Sequence, residues 1–155
     1  MATIDNASVL RTAYEAFNAR DVDKLASCAT ADAMETLVPF DEKQGFRESW
    51  EVWAQAFPDG KIEVKNLIAQ GDYAFAEVVG RGTHTGTLKG PTGDVQATGR
   101  RLEIPMVEVY RFRGGKIVEG RCYFDAFSFF KQLGLGAPEM GASTAGATTS
   151  SPARH

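Results

Sequence analysis

The sequence predicts an α+β fold in one domain, with helices first and an antiparallel sheet after them. In the first third of the chain, apolar residues recur at three- and four-residue spacing, which indicates amphipathic helices. From Lys61 onward they alternate with polar residues, which indicates strands with one buried face. Glycine-containing turns separate these later segments, as in an antiparallel meander. The length of 155 residues, with 43% apolar and 24% charged residues, is typical of a single globular domain.

Three helices and one short strand are expected before Lys61. Asp5 or Asn6 can cap the first helix. That helix presents on one face Val9, Leu10, Ala13, Tyr14 and Phe17. A short second helix is expected over 22–28, a strand over 33–40 and a third helix over 46–57. The third helix carries on one stripe Trp50, Trp53, Ala54 and Phe57.

Four strands and a closing helix are expected after position 60. The predicted strands cover 61–69, 73–87, 95–112 and 116–125, and the helix covers 127–133. Pro105 lies inside the third of these strands and predicts a bulge or an unpaired position, because proline has no backbone N–H group. Gly134 can end the closing helix. The domain is expected to cover 1–135, and the Gly/Ala/Ser/Thr-rich tail over 136–155 is expected to be disordered.

The net charge, the lengths of the apolar runs and the few Cys and His residues limit the functions that this chain can have. A net charge of −3 argues against a nucleic-acid partner, since such proteins usually present a basic face. No apolar run approaches the roughly 18 residues of a membrane span, and no signal peptide is evident, so we expect no membrane partner and a cytoplasmic protein. Cys28 and Cys122 are expected to be buried free thiols. With His84 as the one histidine before the tail, we expect no metal site and no bound cofactor.

Five short runs stand in a characteristic order along the chain. They are YEAFNARD at 14–21, GTHTG at 82–86, TGRRLEIP at 98–105, YRFRGGKIVEG at 110–120 and FDAFSFFKQLG at 124–134. Together they resemble the SnoaL-like polyketide cyclases of the NTF2-like group. The resemblance implies a cone-shaped barrel with three N-terminal helices packed on a curved, mostly antiparallel sheet. It also implies a homodimer formed through the outer face of the sheet.

The same resemblance suggests an activity and the residues that perform it. Characterised members close a ring by intramolecular aldol condensation, without a cofactor, and use an aspartate at the end of the last strand as general acid/base. The matching residue is Asp125, in the run GRCYFD. Where the family has a supporting histidine and glutamine, this chain has Arg111 and Val109. Arg111 is therefore a catalytic candidate that would pair with Asp125 or stabilise an enolate, and His84 is a further candidate proton donor. From the residues alone, Asp125 can equally be the N-cap of the closing helix.

The open end of the cone is expected to bind a small hydrophobic or polycyclic carbonyl compound. The residues expected to contact it are Tyr14, Phe17, Trp50, Trp53, Arg121 and Phe124. Core packing is the more common role of aromatic residues at this helical spacing, and it is the alternative for the two tryptophans. Two other functions remain open. A hydrolase of the limonene-epoxide hydrolase type would use Asp125, Arg121 and a further carboxylate, for which the candidates are Glu77, Glu103 and Glu108. A non-catalytic, dimeric ligand-binding module would have no carboxylate in its pocket.

Comparison with ketosteroid isomerases, another branch of the NTF2-like group, gives a negative expectation. The stretch Ala31–Phe40 corresponds to the part of those enzymes that carries the catalytic base, and the matching position is Val38. The oxyanion-hole acid of those enzymes falls near Pro105. Steroid isomerisation by their mechanism is therefore not expected.

Overall fold

The computed structural model describes residues 5–90 and 93–136, which form four α-helices and six strands. The helices are α1 (Asn6–Asn18), α2 (Val22–Ser27), α3 (Phe46–Ala56) and α4 (Ala126–Gln132). The strands are β1 (Ala29–Leu37), β2 (Glu42–Gly45), β3 (Lys61–Gln70), β4 (Tyr73–Thr83), β5 (Arg101–Arg113) and β6 (Lys116–Phe124). The α+β class is confirmed, with three helices before the meander and α4 after it. None of the described helices is long and apolar enough to span a membrane.

Local capping signals set where the helices begin. The Asp5 side chain accepts a hydrogen bond from the backbone N–H of Ala7 at 3.0 Å and caps α1. Asp21 caps α2 in the same way through the backbone N–H of Lys24, also at 3.0 Å. These bonds satisfy donors that the first turn of a helix leaves without an intrahelical partner. Gly134 follows α4 with a φ of 70°, a left-handed conformation that favours glycine after a helix.

The sheet has the strand order β2-β1-β6-β5-β4-β3. Strands β3 to β6 form the predicted antiparallel meander. Strand β1 then pairs with β6 in parallel, and β2 folds back antiparallel onto β1. The first strand lies four residues earlier than expected at its start and ends at Leu37, because Pro39 belongs to the 3-10 turn Val38–Phe40. Strand β2, with sequence EKQG, was not predicted because it shows no apolar alternation.

The two long central strands are shorter than predicted. Strand β4 ends at Thr83 and β5 begins at Arg101, and between them Leu88 and Val95 form only an isolated bridge. Pro105 pairs in register with Val79 of β4, without a bulge. The pairing of β5 with β6 begins one residue later, at Met106. The predicted bulge is absent and the proline is paired with β4, so only its side toward β6 lacks a strand neighbour.

Alternation along the strands separates an inner face, covered by helices, from an outer face. In β4 the inner positions carry small residues, and Ala74, Ala76 and Val78 are all buried. Cys28 and Cys122 are buried free thiols, as expected. The predicted tail lies outside the described residues except for Gly136.

Candidate active site

A cavity opens between the inner face of the sheet and the side chains of α1 and α3. The space between its walls, including open solvent at the mouth, is about 580 Å³. Most of its wall is apolar and aromatic. The apolar lining residues are Phe17, Leu37, Trp50, Trp53, Phe57, Ile62, Leu102, Ile104 and Met106. Lys61 and Arg81 also contribute to the lining, and both are accessible to solvent.

Two carboxyl groups interrupt this apolar wall. Glu35 on β1 and Glu108 on β5 both line the cavity and are only 3% and 5% exposed. Strand β6 runs between the two strands that carry them, with Gly120 in register with Glu35 and Cys122 in register with Glu108. Both glutamates occupy inward positions, where strand alternation normally places apolar side chains.

Two buried tyrosines hold these carboxyl groups. Tyr14, on α1, donates a hydrogen bond from its hydroxyl to Glu108 Oε2. The Tyr110 hydroxyl, on β5, lies 2.9 Å from Glu35 Oε1 and 3.2 Å from Glu108 Oε2. Both tyrosines are at most 2% exposed. The four side chains form one connected polar cluster, which we call the Glu–Tyr cluster.

Burial changes the protonation of the Glu–Tyr cluster. Loss of water, followed by the charge of Glu108, raises the pKa of Glu35 from 4.5 to about 7. Burial also raises the pKa of Glu108, while hydrogen bonds from Tyr14 and Tyr110 act against that rise. Burial raises the pKa of both tyrosines well above 10, so both phenols stay neutral. Both carboxyl groups therefore keep their protons to higher pH than exposed glutamates do.

Four of the residues expected to contact a substrate lie at or next to the cavity. Phe17, Trp50 and Trp53 line it, and Trp50 packs at 5.1 Å between ring centroids against Phe17. Tyr14 is not a lining residue, but its hydroxyl donates a hydrogen bond to Glu108, which lines the cavity. Phe124 lies outside the lining residues and packs edge-on against the ring of Trp53, with 6.3 Å between centroids.

Asp125 lies at the surface, at the start of α4. Its side chain accepts a hydrogen bond from the backbone N–H of Ser128 at 3.2 Å, which makes it the N-cap of that helix. The carboxyl is not part of the cavity lining. The structure therefore places the residue in the capping position that the sequence also allowed.

His84 points inward but lies away from the cavity lining. Its Nδ1 is 3.0 Å from Thr98 Oγ1, and its ring packs against Phe57 with 5.3 Å between centroids. It is fully buried, and loss of water lowers the pKa of the imidazole, so the ring is neutral near pH 7. Through these contacts His84 links the end of β4 to the residues that precede β5.

Arg111 and Arg121 lie on the outer face of the sheet, opposite the cavity. Their strand positions are in register with Tyr73 and Val109, which point away from the helices. Both arginines contact the carboxylate of Glu119, at 3.3 Å and 3.6 Å respectively. The structure thus separates Arg121 from the aromatic residues with which it was grouped, and it places the catalytic candidate Arg111 outside the cavity as well.

Sequence reasoning named one of the two cavity carboxyl groups only as an alternative and missed the other. Of the three glutamates considered for an epoxide hydrolase, Glu108 lines the cavity, whereas Glu77 and Glu103 are exposed. Val38 lies in the 3-10 turn, and the inward carboxyl of that stretch is Glu35, three residues earlier. The available signal was a glutamate at an inward strand position between apolar neighbours two residues away on either side.

Comparisons with known proteins agree with this fold. A family model described as SnoaL-like polyketide cyclase matches residues 7–133. The crystal structure of IdmH from Streptomyces antibioticus, a proposed polyketide cyclase, is 29% identical and covers 84% of this chain and 99% of its own, with a TM-score of 0.66. AclR from Streptomyces galilaeus, a proposed hydroxylase, is 26% identical over 83% of this chain and 80% of its own, with a TM-score of 0.69. No curated protein sequence matches the chain.

A further solved structure resembles the chain in fold alone. It is a protein from Catenulispora acidiphila with a ketosteroid isomerase-like fold, 21% identical, with a TM-score of 0.65. The match covers 83% of this chain and 94% of the other.

Within the described residues, no three His, Cys, Asp or Glu side chains lie together in a way that could hold a metal ion.

Proposed function

The chain belongs to the SnoaL-like polyketide cyclase family, and from that premise we propose that its cavity closes a ring in a polyketide-like carbonyl compound by an intramolecular aldol step. The observation that carries the proposal is the buried pair Glu35 and Glu108 in an otherwise mostly apolar cavity. An aldol step requires a base to form the enolate and an acid to protonate the alkoxide. Two carboxyl groups that share one proton can provide both.

The hydrogen bonds favour one assignment of base and acid. Glu108 accepts hydrogen bonds from Tyr14 and Tyr110. Glu35, in contrast, has Tyr110 and the Ser49 hydroxyl beside it, and burial and the charge of Glu108 raise the pKa of Glu35. Donors stabilise the ionised form of the carboxyl that accepts them. Glu108 is therefore the carboxylate in the resting state, and Glu35, with its pKa near 7, is the carboxylic acid.

The proposed reaction moves two protons and forms one carbon–carbon bond. The Glu108 carboxylate takes a proton from the carbon next to a substrate carbonyl and becomes a carboxylic acid. The enolate carbon attacks a second carbonyl of the same molecule, and the new alkoxide takes the proton of Glu35. The product is an isomer of the substrate until it loses water. Since no electrons leave or enter the substrate, the proposal includes no bound cofactor.

The apolar wall contributes by orienting the substrate. Phe17, Trp50 and Trp53 present rings that suit a flat or polycyclic carbonyl compound. Ring closure requires the enolate carbon and the second carbonyl to meet, and holding a flexible chain folded supplies a large part of the rate. Exclusion of water also strengthens the interactions of the Glu–Tyr cluster with developing charge.

We accordingly assign the acid–base role to the glutamate pair and the capping role to Asp125. The Asp125 carboxyl contacts the backbone of α4 and does not line the cavity. The epoxide-hydrolase alternative also loses support. That mechanism would need Arg121 in the cavity, whereas Arg121 lies on the outer face of the sheet.

A ring-closure assay tests the proposal. The probe is 2-acetylphenylacetone, whose intramolecular aldol condensation gives 3-methyl-1-naphthol and water and can be followed by absorbance. We expect the protein to accelerate it. Glu35→Gln and Glu108→Gln should each lower turnover by on the order of 10² to 10⁴, the usual contribution of a general acid or base. Glutamine keeps the size of the side chain and removes its acidity.

Asp125→Asn is the matched control, because asparagine caps a helix about as well as aspartate. It should retain turnover. Full turnover by both folded glutamine variants would contradict the proposal. Hydrolysis of small epoxides without ring closure would favour the hydrolase, and saturable binding of the probe without turnover would favour a non-catalytic module.

A further inference from the structure

We infer that Tyr110, seated over Gly120, carries a proton between Glu108 and Glu35, so that the two carboxyl groups work as one acid–base unit. The inference depends on the proposed function for its use in turnover. The relay itself is a property of the Glu–Tyr cluster and can be tested on the protein without a substrate.

The first observation is that one hydroxyl lies within hydrogen-bond distance of both carboxyl groups, at 2.9 Å from Glu35 and 3.2 Å from Glu108. A phenol has one proton and can donate it to one acceptor at a time. The other contact is a hydrogen bond only if that carboxyl is protonated and donates to the phenol oxygen. The geometry of Tyr110 therefore matches a cluster in which one carboxyl is an acid and the other a carboxylate.

The second observation is that Tyr110 is the connection between the two carboxyl groups. Among the hydrogen bonds of the described residues, Glu35 and Glu108 share a partner only at this hydroxyl. Tyr14 contacts Glu108 but not Glu35, so it can hold one carboxyl but cannot pass a proton to the other.

The third observation explains how the tyrosine on β5 reaches a glutamate on β1, two strands away. Gly120, on the intervening strand β6, is in register with both Tyr110 and Glu35. A Cβ atom at Gly120 would lie 2.5 Å from Tyr110 Cε1 and 3.5 Å from Glu35 Cγ. Real Cβ atoms do not approach a ring so closely, so any side chain there would displace the tyrosine. Glycine is needed at this position for space.

The relay returns the cluster to its resting state after the aldol step. At that point Glu108 holds the proton from the substrate, and Glu35 is ionised. The Glu108 O–H bond breaks as its proton moves to the Tyr110 oxygen, and the original Tyr110 O–H bond breaks as its proton moves to Glu35. Tyr110 is a neutral phenol before and after the transfer. One proton crosses from Glu108 to Glu35, and no other group changes its charge.

Carboxyl titration of the full-length protein provides the first test. The glutamate side-chain carboxyl carbons are labelled with ¹³C, and their resonances are followed by NMR against pH. Tyr110→Phe removes the donor and should move the pKa of Glu35 upward from about 7, because the Tyr110 hydrogen bond lowers it. Gly120→Ala keeps the hydroxyl but displaces the ring, and it should move the pKa in the same direction.

Tyr123→Phe is the matched control, because this tyrosine is 42% exposed on the outer face of β6. It should leave the Glu35 titration unchanged. If Tyr110→Phe also leaves it unchanged, the inference is overturned, whatever the protein catalyses. Should Gly120→Ala fail to fold, the Tyr110→Phe result alone decides.

A kinetic test separates a relay from a merely structural tyrosine. With 2-acetylphenylacetone as the probe, Tyr110→Phe should slow the first turnover less than the later ones, because only the later ones begin with Glu108 protonated and Glu35 ionised. Later turnovers should slow by about tenfold or more, since the reset is impaired. Equal slowing of both phases would overturn the relay. If the wild-type protein does not convert the probe, the proposed function fails, and the NMR result still decides the inference.

Discussion

Glu35 and Glu108 are the residues at which this chain departs from ordinary strand patterning. A buried carboxylate costs several kcal/mol unless it is paired or neutralised. Here the cost falls because two tyrosine hydroxyls bond to the pair and because one carboxyl can remain protonated. A costly polar group that lines an apolar cavity is typical of a functional site.

The protonation of Glu35 should make the stability of the protein depend on pH. Its pKa is about 7 in the folded protein and 4.5 without the fold, so folding favours the protonated form. The stability it contributes is therefore fully present below pH 4.5 and is lost as the pH rises through 7. The loss corresponds to roughly 3 kcal/mol.

Denaturant unfolding at pH 4.5 and pH 8 checks this prediction. The difference in unfolding free energy between the wild type and Glu35→Gln should change between the two pH values, with the variant relatively more stable at pH 8. Glu15→Gln, on the exposed face of α1, is the control and should show no such change. A wild type that becomes more stable, relative to Glu35→Gln, as the pH rises would contradict the account.

The sequence alone predicted the aromatic residues of the cavity wall, but it did not predict that Glu35 and Tyr110 meet there. Phe17 lies on the apolar stripe of α1, and Trp50 and Trp53 lie on that of α3. Such stripes are local patterns that the sequence shows directly. The meeting of Glu35 with Tyr110 depends on the pairing of β1 with β6, which places distant parts of the chain side by side. No local signal in the sequence specifies that register.

At the scale of elements, the same distinction between local and distant interactions holds. The helices and the meander follow from capping residues, periodicity and tight turns. Apart from the end of β4 and the start of β5, they lie close to their predicted positions. Strand β2 and the parallel pairing of β1 are defined by contacts with strands far along the chain. The predicted extensions of β4 and β5 alternate in sequence, but Gly86 donates its N–H to Ala56 at the end of α3 instead of to a neighbouring strand.

Helix α4 shows why one residue supported two interpretations. Asp125 follows the last strand directly, so it stands both at a strand end and at the start of a helix. The backbone of α4 turns its carboxyl toward the N–H of Ser128. The path of the chain after β6, which the sequence does not specify, decides where that carboxyl points.

At the scale of the whole molecule, the outer face of the sheet is unusually apolar for a surface in water. Five large apolar side chains from four adjacent strands are between 40% and 67% exposed there: Ile68, Tyr73, Phe75, Val107 and Tyr123. Clustered exposure of this kind marks an interaction surface. We propose that a second copy of the chain covers it, as the family resemblance also suggests.

Sedimentation provides the test of this homodimer. The protein should sediment with about twice the mass of one chain, 16.8 kDa, at micromolar concentration. Phe75→Asp, at the middle of the apolar face, should shift it toward the mass of a single chain, because a buried unpaired charge opposes association. A wild-type protein that sediments as a single chain throughout the micromolar range would contradict the proposal.

The central claim, that Glu108 and not Asp125 removes a proton from the substrate, is tested most directly by hydrogen exchange on a simple ketone. The probe is 2-tetralone in D₂O, and exchange at the carbon next to its carbonyl is followed by ¹H NMR. The account predicts that the wild type and Asp125→Asn accelerate exchange equally, whereas Glu108→Gln loses the acceleration by on the order of 10² to 10⁴. Loss of exchange in Asp125→Asn, with exchange retained in Glu108→Gln, would contradict it.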